Sequence, residues 1–453
     1  MNPHVAISPS SVATPHSEQH YTLALGAMMA LHFMIGFLTC LNDILVPHLK
    51  AVFTLNYTQT MLIQFTFFTA YFLVSLPAGM VISAVGYKRT IVVGLLTAVV
   101  GALLFYPASA LLLYGLFLCA LFILASGFTM LQVAVNPYAA ALGKPETASS
   151  RLTLTQAFNS LGTTIAPSVG GLFILSTSAL SANALAAMSS TERESYRLAE
   201  AASVQMPYLT VAAVLMALAL AIHSLKLPTL ATVENAGGNG NYAHPTLAKG
   251  LLHAFAVRRV RLAALGIFAY VGAEVAIGSF LIFFATTLSS NAGLSNFGQI
   301  ITEQEATRYV ALYWGGAMVG RFFGSALLAR TQPGRLLGAY AVCAMALVAF
   351  GMGSSGMAAL VAVVAVGLCN SIMFPTIFTL GIHRLGGLTG YASSIITMAI
   401  VGGALVPLAQ GVLADAVGVQ RAFVLPLVCY GYITWFALKG WQTEFTAETP
   451  ETS

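Results

Sequence analysis

The sequence predicts an all-α membrane protein whose twelve transmembrane helices form two six-helix bundles, and three observations carry that prediction. The 453 residues are 58% hydrophobic and only 7% charged, whereas a soluble chain carries about a quarter of its residues charged. Apolar runs of about 20 residues, the length that crosses a hydrocarbon core as a helix, recur from end to end. One long polar break, containing ENAGGNGNYAHP, divides the series into six spans and six spans.

In chain order the spans are expected near 22–46, 61–85, 90–107, 111–140, 152–176 and 205–226, then 262–289, 306–330, 334–352, 356–383, 390–413 and 421–439. Residues 1–20 precede them. They are rich in Ser, Pro and His but lack a basic stretch followed by an apolar core, so they read as a disordered cytoplasmic tail rather than a signal peptide. The domains follow: a six-helix bundle over 21–226, a cytoplasmic linker over 227–257, a second bundle over 258–440 and a tail over 441–453. Gly and Asn in the break argue for a flexible linker.

The net charge of +5 is explained by placement rather than by a nucleic-acid partner. With the N-terminus inside, thirteen of the nineteen basic residues flank cytoplasmic span ends, among them Lys88, Arg89, Lys144, Arg151, Arg258, Arg259, Arg261 and Lys439. The positive-inside rule then puts both termini in the cytoplasm. The five cysteines all fall in spans without CxxC spacing and read as small packing residues, so neither a disulfide framework nor a metal site is expected.

The two halves echo each other. Gln132 stands five residues before Pro137 in span four, as Asn370 stands five before Pro375 in span ten. Gly162 and Pro167 of span five match Gly402 and Pro407 of span eleven. A second echo joins GMVISAVGYKR (79–89) to GVLADAVGVQR (411–421) at opposite membrane faces, as inverted three-span repeats would place them. Gly79 and Gly86 let helices approach closely, and Lys88 and Arg89 can cap helix C-terminal carbonyls, so these residues are expected to act as a conformational latch.

Polar residues within the spans mark the candidate site. Two of the fourteen acidic residues, Asp43 and Glu274, sit deep in apolar helices. An Asp at a span centre costs roughly 2.5–3.5 kcal/mol and is tolerated where it faces a polar path. Binding and releasing a cation is work such a group can do, which points to a cation-coupled transporter. His32, Gly36, Thr39 and Asp43 form one stripe on span one, flanked by Asn42. Thr129, Gln132 and Asn136 share a face of span four, and Gln156, Asn159 and Thr163 a face of span five. Amides donate and accept at once, as sugar hydroxyls do. They equally serve as glue between helices. On span seven Glu274 shares a face with Tyr270 and Gly278, and Asn370 marks the matching region of span ten. Phe33, Phe37, Phe67, Tyr71, Trp314 and Phe374 are the aromatics available to stack on a pyranose. Arg321, in GRFFG, is expected to bond span-end carbonyls or turn inward. Phosphate-binding loops and nucleophile or metal motifs are not seen, so no enzyme activity and no cofactor is expected.

The loop between spans two and three, with Gly79, Gly86, Lys88 and Arg89, resembles the signature of the major facilitator superfamily, although Ser83 and Ala84 stand where its usual acid lies. LNDIL (41–45), AVNPYAAALG (134–143), RLTLTQAFNSLG (151–162), FAYVGAEVA (268–276) and MFPTIFTLGI (373–382) are similar to the fucose–galactose–glucose:proton symporter family. The fucose branch has acids in spans one and four and a glutamine in span seven. Here Asp43 matches the first acid, Gln132 replaces the second, and Glu274 stands at the glutamine, a pattern like the glucose/galactose branch, which some N-acetylglucosamine permeases share. The resemblance implies a monomeric major facilitator fold that takes up a hexose with a proton, or with sodium, by alternating access. Asp43 and Glu274 would serve the coupling ion. Asn42, Gln132, Asn136, Gln156, Asn159, Tyr270, Trp314 and Asn370 would contact sugar. Another sugar permease, a drug/proton antiporter, a uniporter and a non-transporting nutrient sensor are the rival readings.

Overall fold

The structure, a computed structural model, describes residues 15–53, 57–173, 205–228, 247–292 and 303–441, with a few isolated positions between them. Ten helical stretches are long and apolar enough to cross a membrane among the described residues. Two more helices, Ala148–Phe173 and Glu303–Leu328, occupy the places of spans five and eight. The twelve expected spans are therefore all helical. The first begins at Pro15, inside the segment 1–20 expected to be a disordered tail; residues 1–14 lie outside the described ones.

Within each half the helices pack most closely where glycine removes the side chain. A Cβ on Gly162 of span five would strike the backbone of Phe33 and Phe37 in span one. A Cβ on Gly402 of span eleven would strike the backbone of Phe268 in span seven. The matched glycines thus make the same crossing in the two halves. The second echo holds as well. Gly86 (φ +82°) and Gly418 (φ +88°) both take the left-handed region, and each amide bonds the carbonyl four residues back, at 2.8 Å. Lys88 Nζ then donates to the His223 carbonyl at the end of span six (2.8 Å). Gln420 Nε2, at the equivalent position, donates to the Gly351 and Ser354 carbonyls at the end of span nine (2.9 and 2.7 Å). Orphaned carbonyls at helix ends need such donors.

Three spans are interrupted where continuous helices were expected. Span ten breaks between Gly356–Asn370 and Met373–Ile382. Pro375 lacks an amide proton and its ring crowds the carbonyl of Ser371, so the ladder parts there. Span eleven passes through a tight 3₁₀ turn, Ala399–Val401, before Gly402 and Pro407. Span twelve runs Val424–Trp435 and closes in a π turn, Phe436–Gly440. Span four, by contrast, runs unbroken over Tyr114–Ala141 with Pro137 inside it. The linker differs from its expectation too: it ends in a helix, Leu247–Ala256.

The halves meet where span two packs on span eleven and span five on span eight. At the end of the molecule that carries Lys88, Arg151 and Arg259, called here the basic end, the seam is made of small hydroxyls and glycines. Ser150 and Ser325 exchange hydrogen bonds, each hydroxyl donating to the other's carbonyl (2.7 and 2.8 Å). Ser149 pairs with Thr379 at 2.5 Å, and the Tyr391 hydroxyl donates to Ser83 at 3.1 Å. Ser393 donates to the Val133 carbonyl at 2.7 Å. That carbonyl is the one Pro137, four residues on, leaves without an amide partner.

A Gly162→Ala or Gly402→Ala substitution is expected to destabilise by about 1–3 kcal/mol, because a rigid backbone faces the new methyl. Gly26→Ala, with nothing within 4 Å of its Cβ, is the control. Thermal unfolding of the detergent-solubilised variants, followed by size-exclusion peak height, reads the difference.

Candidate functional site

Among the described residues, most of the polar side chains singled out from the sequence gather in two networks, one per half. In the first half Asn136, fully buried on span four, is the hub. Its Oδ1 accepts from Gln156 Nε2 of span five (3.4 Å) and lies 3.0 Å from His32 Nε2 of span one. The other His32 nitrogen bonds the Met28 carbonyl at 2.9 Å, so this histidine ties span one to span four. Asn159 Nδ2 donates to the His32 carbonyl (3.0 Å) at the place where Gly36 lets span five touch span one. Gln132 Nε2 donates to the Tyr71 hydroxyl at 2.9 Å. Gln132, Gln156 and Asn159 are each only partly buried. Asn42 and Asp43 continue the helix of span one, but their side chains lie outside the described residues.

In the second half the hub is an amide again, and it is used differently. Asn370 Nδ2 donates to the Tyr313 hydroxyl and its Oδ1 accepts from the Tyr430 hydroxyl, both at 2.7 Å. The Tyr313 hydroxyl donates onward to the main-chain carbonyl of Glu274 at 3.0 Å. Asn370 is fully buried with both ends of its amide engaged, and it clamps spans seven, eight, ten and twelve. The aromatics expected as stacking surfaces also lean on one another. Phe67 lies 5.4 Å from Tyr71, Tyr270 lies 6.4 Å from Phe374, and Phe33 lies 6.2 Å from Phe37 between ring centres. Trp314 is 41% exposed, standing edge-on to Tyr313 and covering Gly278.

The two networks are joined by Arg321. Gly316, Gly320 and Gly324 recur every fourth residue on span eight and face span ten: a Cβ on Gly320 would come 2.7 Å from that of Ser371. One residue further round the helix, Arg321 is thereby turned from span ten. Its Nη2 lies 3.6 Å from Glu274 Oε1, with the two side chains only 12% and 10% exposed. Its Nη1 bonds the Ser160 hydroxyl of span five, in the other half. Of the two expectations for Arg321, span-end carbonyls or an inward turn, its contacts with Glu274 and Ser160 match the inward turn. Among the described residues its Nε and Asn136 Nδ2 are buried donors without a hydrogen-bond acceptor, while the Tyr270 hydroxyl lies against the Glu274 carboxylate. A ligand lying between the halves and rich in acceptor oxygens would complete them.

Ser160, Tyr313 and Tyr430 were missed in the sequence, since a lone hydroxyl in an apolar span resembles ordinary packing. The residues expected to form a latch have the following surroundings. Gly79 faces Gly390 and Ser394 across the seam, Gly86 makes the turn, Lys88 caps span six, and Arg89 is exposed.

A Major Facilitator Superfamily model matches residues 28–406. The glucose/galactose transporter of Brucella abortus biovar 1 (strain 9-941) is 50% identical over 425 residues, covering 94% of this chain and 95% of that one. The L-fucose-proton symporter of Escherichia coli (strain K12) is 35% identical over 426 residues, 93% of each chain. A crystal structure of a transporter of this superfamily, FucP, in the outward conformation superposes with a TM-score of 0.83 at 35% identity, over 92% of this chain and 98% of that one.

Asn370→Ala leaves the buried Tyr430 hydroxyl without an acceptor and takes the amide donor from Tyr313, and should lower stability by about 1–3 kcal/mol per lost partner. Gln132→Ala, which frees only the Tyr71 hydroxyl, should cost less. Melting temperatures of the two purified variants, compared with the parent, check the ranking.

Proposed function

The chain belongs to the Major Facilitator Superfamily, and from that premise we propose that it takes up a hexose of the glucose/galactose type together with a proton. The observation that carries the reading is the Glu274–Arg321 pair, bound on one side to span seven and on the other to Ser160 of span five. The names of the Brucella and Escherichia relatives supply the sugar class and the proton. The positive-inside rule supports placing the basic end in the cytoplasm. The hydroxyl seam there, and the likeness to a relative in the outward conformation, favour a state closed to the cytoplasm and open outward.

The sugar enters between the halves. Gln132, Gln156 and Asn159 offer it amide groups from spans four and five; Tyr270, Glu274 and Arg321 offer donors and an acceptor from spans seven and eight. Coupling follows from charge. While Glu274 is ionised, Arg321 is held between Glu274 and Ser160, an attraction on the order of 4 kcal/mol at an effective dielectric of about 20. A proton on Glu274 removes that attraction, and the guanidinium is released toward sugar oxygens. Asp43 on span one is the companion acid on the first half. Neutralising an acid lowers the cost of moving the halves past each other, so sugar and proton cross together.

Glu274→Gln and Asp43→Asn are each expected to abolish accumulation of labelled glucose in proteoliposomes under an imposed proton gradient, while counterflow exchange continues. A Glu274→Gln variant that still concentrates glucose would refute the assignment. Arg321→Gln strands a buried carboxylate and should suppress exchange, and the double variant Arg321→Gln/Glu274→Gln should restore it.

A further inference from the structure

The linker helix Leu247–Ala256 serves neither the sugar site nor the hydroxyl seam directly, yet it is built with three distinct faces. Gly250 and Ala254 are buried, and the gap at Gly250 is filled by the ring of Tyr391, which a Cβ would meet at 2.5 Å. Leu252 is 66% and Phe255 is 53% exposed, so among the described residues this second face has no protein cover. The third face bears the exposed Lys249 and His253 and leads into exposed Arg258 and Arg261 at the start of span seven. Apolar residues on one side and basic residues beside them are the signature of a helix lying in the plane of a membrane surface. The helix sits at the basic end, next to the membrane boundary that Arg258–Ser289 enters.

The same helix touches the seam through one residue. Tyr391, which packs over Gly250, donates its hydroxyl to Ser83 of span two in the opposite half. The neighbouring Gly390 and Ser394 lie against Gly79. Whatever fixes the linker helix therefore also fixes the tyrosine that bridges the halves.

We propose that this helix binds the anionic lipid headgroups of the adjoining leaflet and, through Tyr391, holds the basic end shut. Leu252 and Phe255 insert among the acyl chains, while Lys249, Arg258 and Arg261 meet the headgroup phosphates. Each basic residue near an anionic surface strengthens binding by about fivefold. The lipid is thus a ligand of the transporter's conformational equilibrium rather than only its solvent.

The test needs no substrate and stands apart from the sugar reading. A Phe255→Trp variant is placed in nanodiscs of phosphatidylcholine, or of phosphatidylcholine and phosphatidylglycerol at roughly two to one. Both lipids carry bromine on their acyl chains. The parent protein, with Trp314, Trp435 and Trp441, gives the background. Quenching of the new tryptophan should be stronger with phosphatidylglycerol, and Lys249→Gln with Arg261→Gln should erase the difference. Equal quenching in both lipids would overturn headgroup binding. In a second arm a Ser150→Cys substitution reports opening of the seam by its rate of reaction with N-ethylmaleimide. Phosphatidylglycerol should slow that reaction severalfold, and Tyr391→Phe should abolish the slowing. A rate indifferent to lipid, in a protein whose tryptophan is quenched, would overturn the link to the seam. Where the double basic variant inserts poorly, Leu252→Ser removes the apolar anchor without touching topology-setting charge, and should give the same loss of quenching and of slowing.

Discussion

A single buried ion pair governs the arrangement of the second half. Glu274 and Arg321 are held where water is scarce, and a lone charge there costs far more than a paired one. Satisfying the pair demands that span eight bring its arginine across to span seven, which requires spans eight and ten to approach through Gly316, Gly320 and Gly324. It also demands that span seven stay still, and the Tyr313 hydroxyl secures it at the carbonyl of Glu274 itself. Asn370 and Tyr430 in turn secure Tyr313. What looks like a row of separate polar residues is one scaffold built to hold a charge in register.

The seam at the basic end obeys the opposite requirement. A transporter must open and close this surface in every cycle, so its bonds must be good enough to define a state and weak enough to leave it. Neutral hydroxyl pairs contribute about 0.5–1.5 kcal/mol each. Ser149 with Thr379, Ser150 with Ser325, and Ser393 with the Val133 carbonyl supply several such increments without a strong ion pair. The last is instructive, because it turns a defect into a contact: Pro137 removes the amide that would have bonded Val133, and the freed carbonyl receives a hydroxyl from the other half. When the seam opens, that carbonyl loses its partner, which favours closing again.

The general architecture was legible in the sequence because lipid imposes simple rules. Twelve apolar runs, a polar break and two sets of matched glycines and prolines give the helices, the halves and their internal symmetry, and the conformation of Gly86 recurs at Gly418. Glu274 was legible because a carboxylate in an apolar helix is conspicuous. Its partner was not. Arg321 stands 47 residues away on the next span, and which way a long side chain turns depends on how deeply its neighbours pack. The interruptions of spans ten and eleven were half legible: proline marks where a ladder weakens, while Pro137 shows that a neighbour's hydroxyl can keep the helix whole. The linker helix was obscured by the Gly- and Asn-rich stretch before it, although LAKGLLHAFA has the composition of a helix.

The internal symmetry is most informative where it fails. Gln132 and Asn370 hold equivalent places before equivalent prolines, yet one is partly exposed with a single tyrosine partner and the other is sealed between two. A longer side chain reaches past the helix surface; a shorter one stays within it. The first half therefore keeps amide groups at the interface between bundles, and the second braces its charge with the Asn370–Tyr313–Tyr430 cluster. Such a division suits a symporter. Under the proposed coupling, the half that reads the sugar adapts to hydroxyls coming and going, while the half that reads the proton holds its carboxylate fixed, so that one proton changes the balance by a repeatable amount. Arg321, anchored in the second half and bonded to Ser160 of the first, is where the two readings meet.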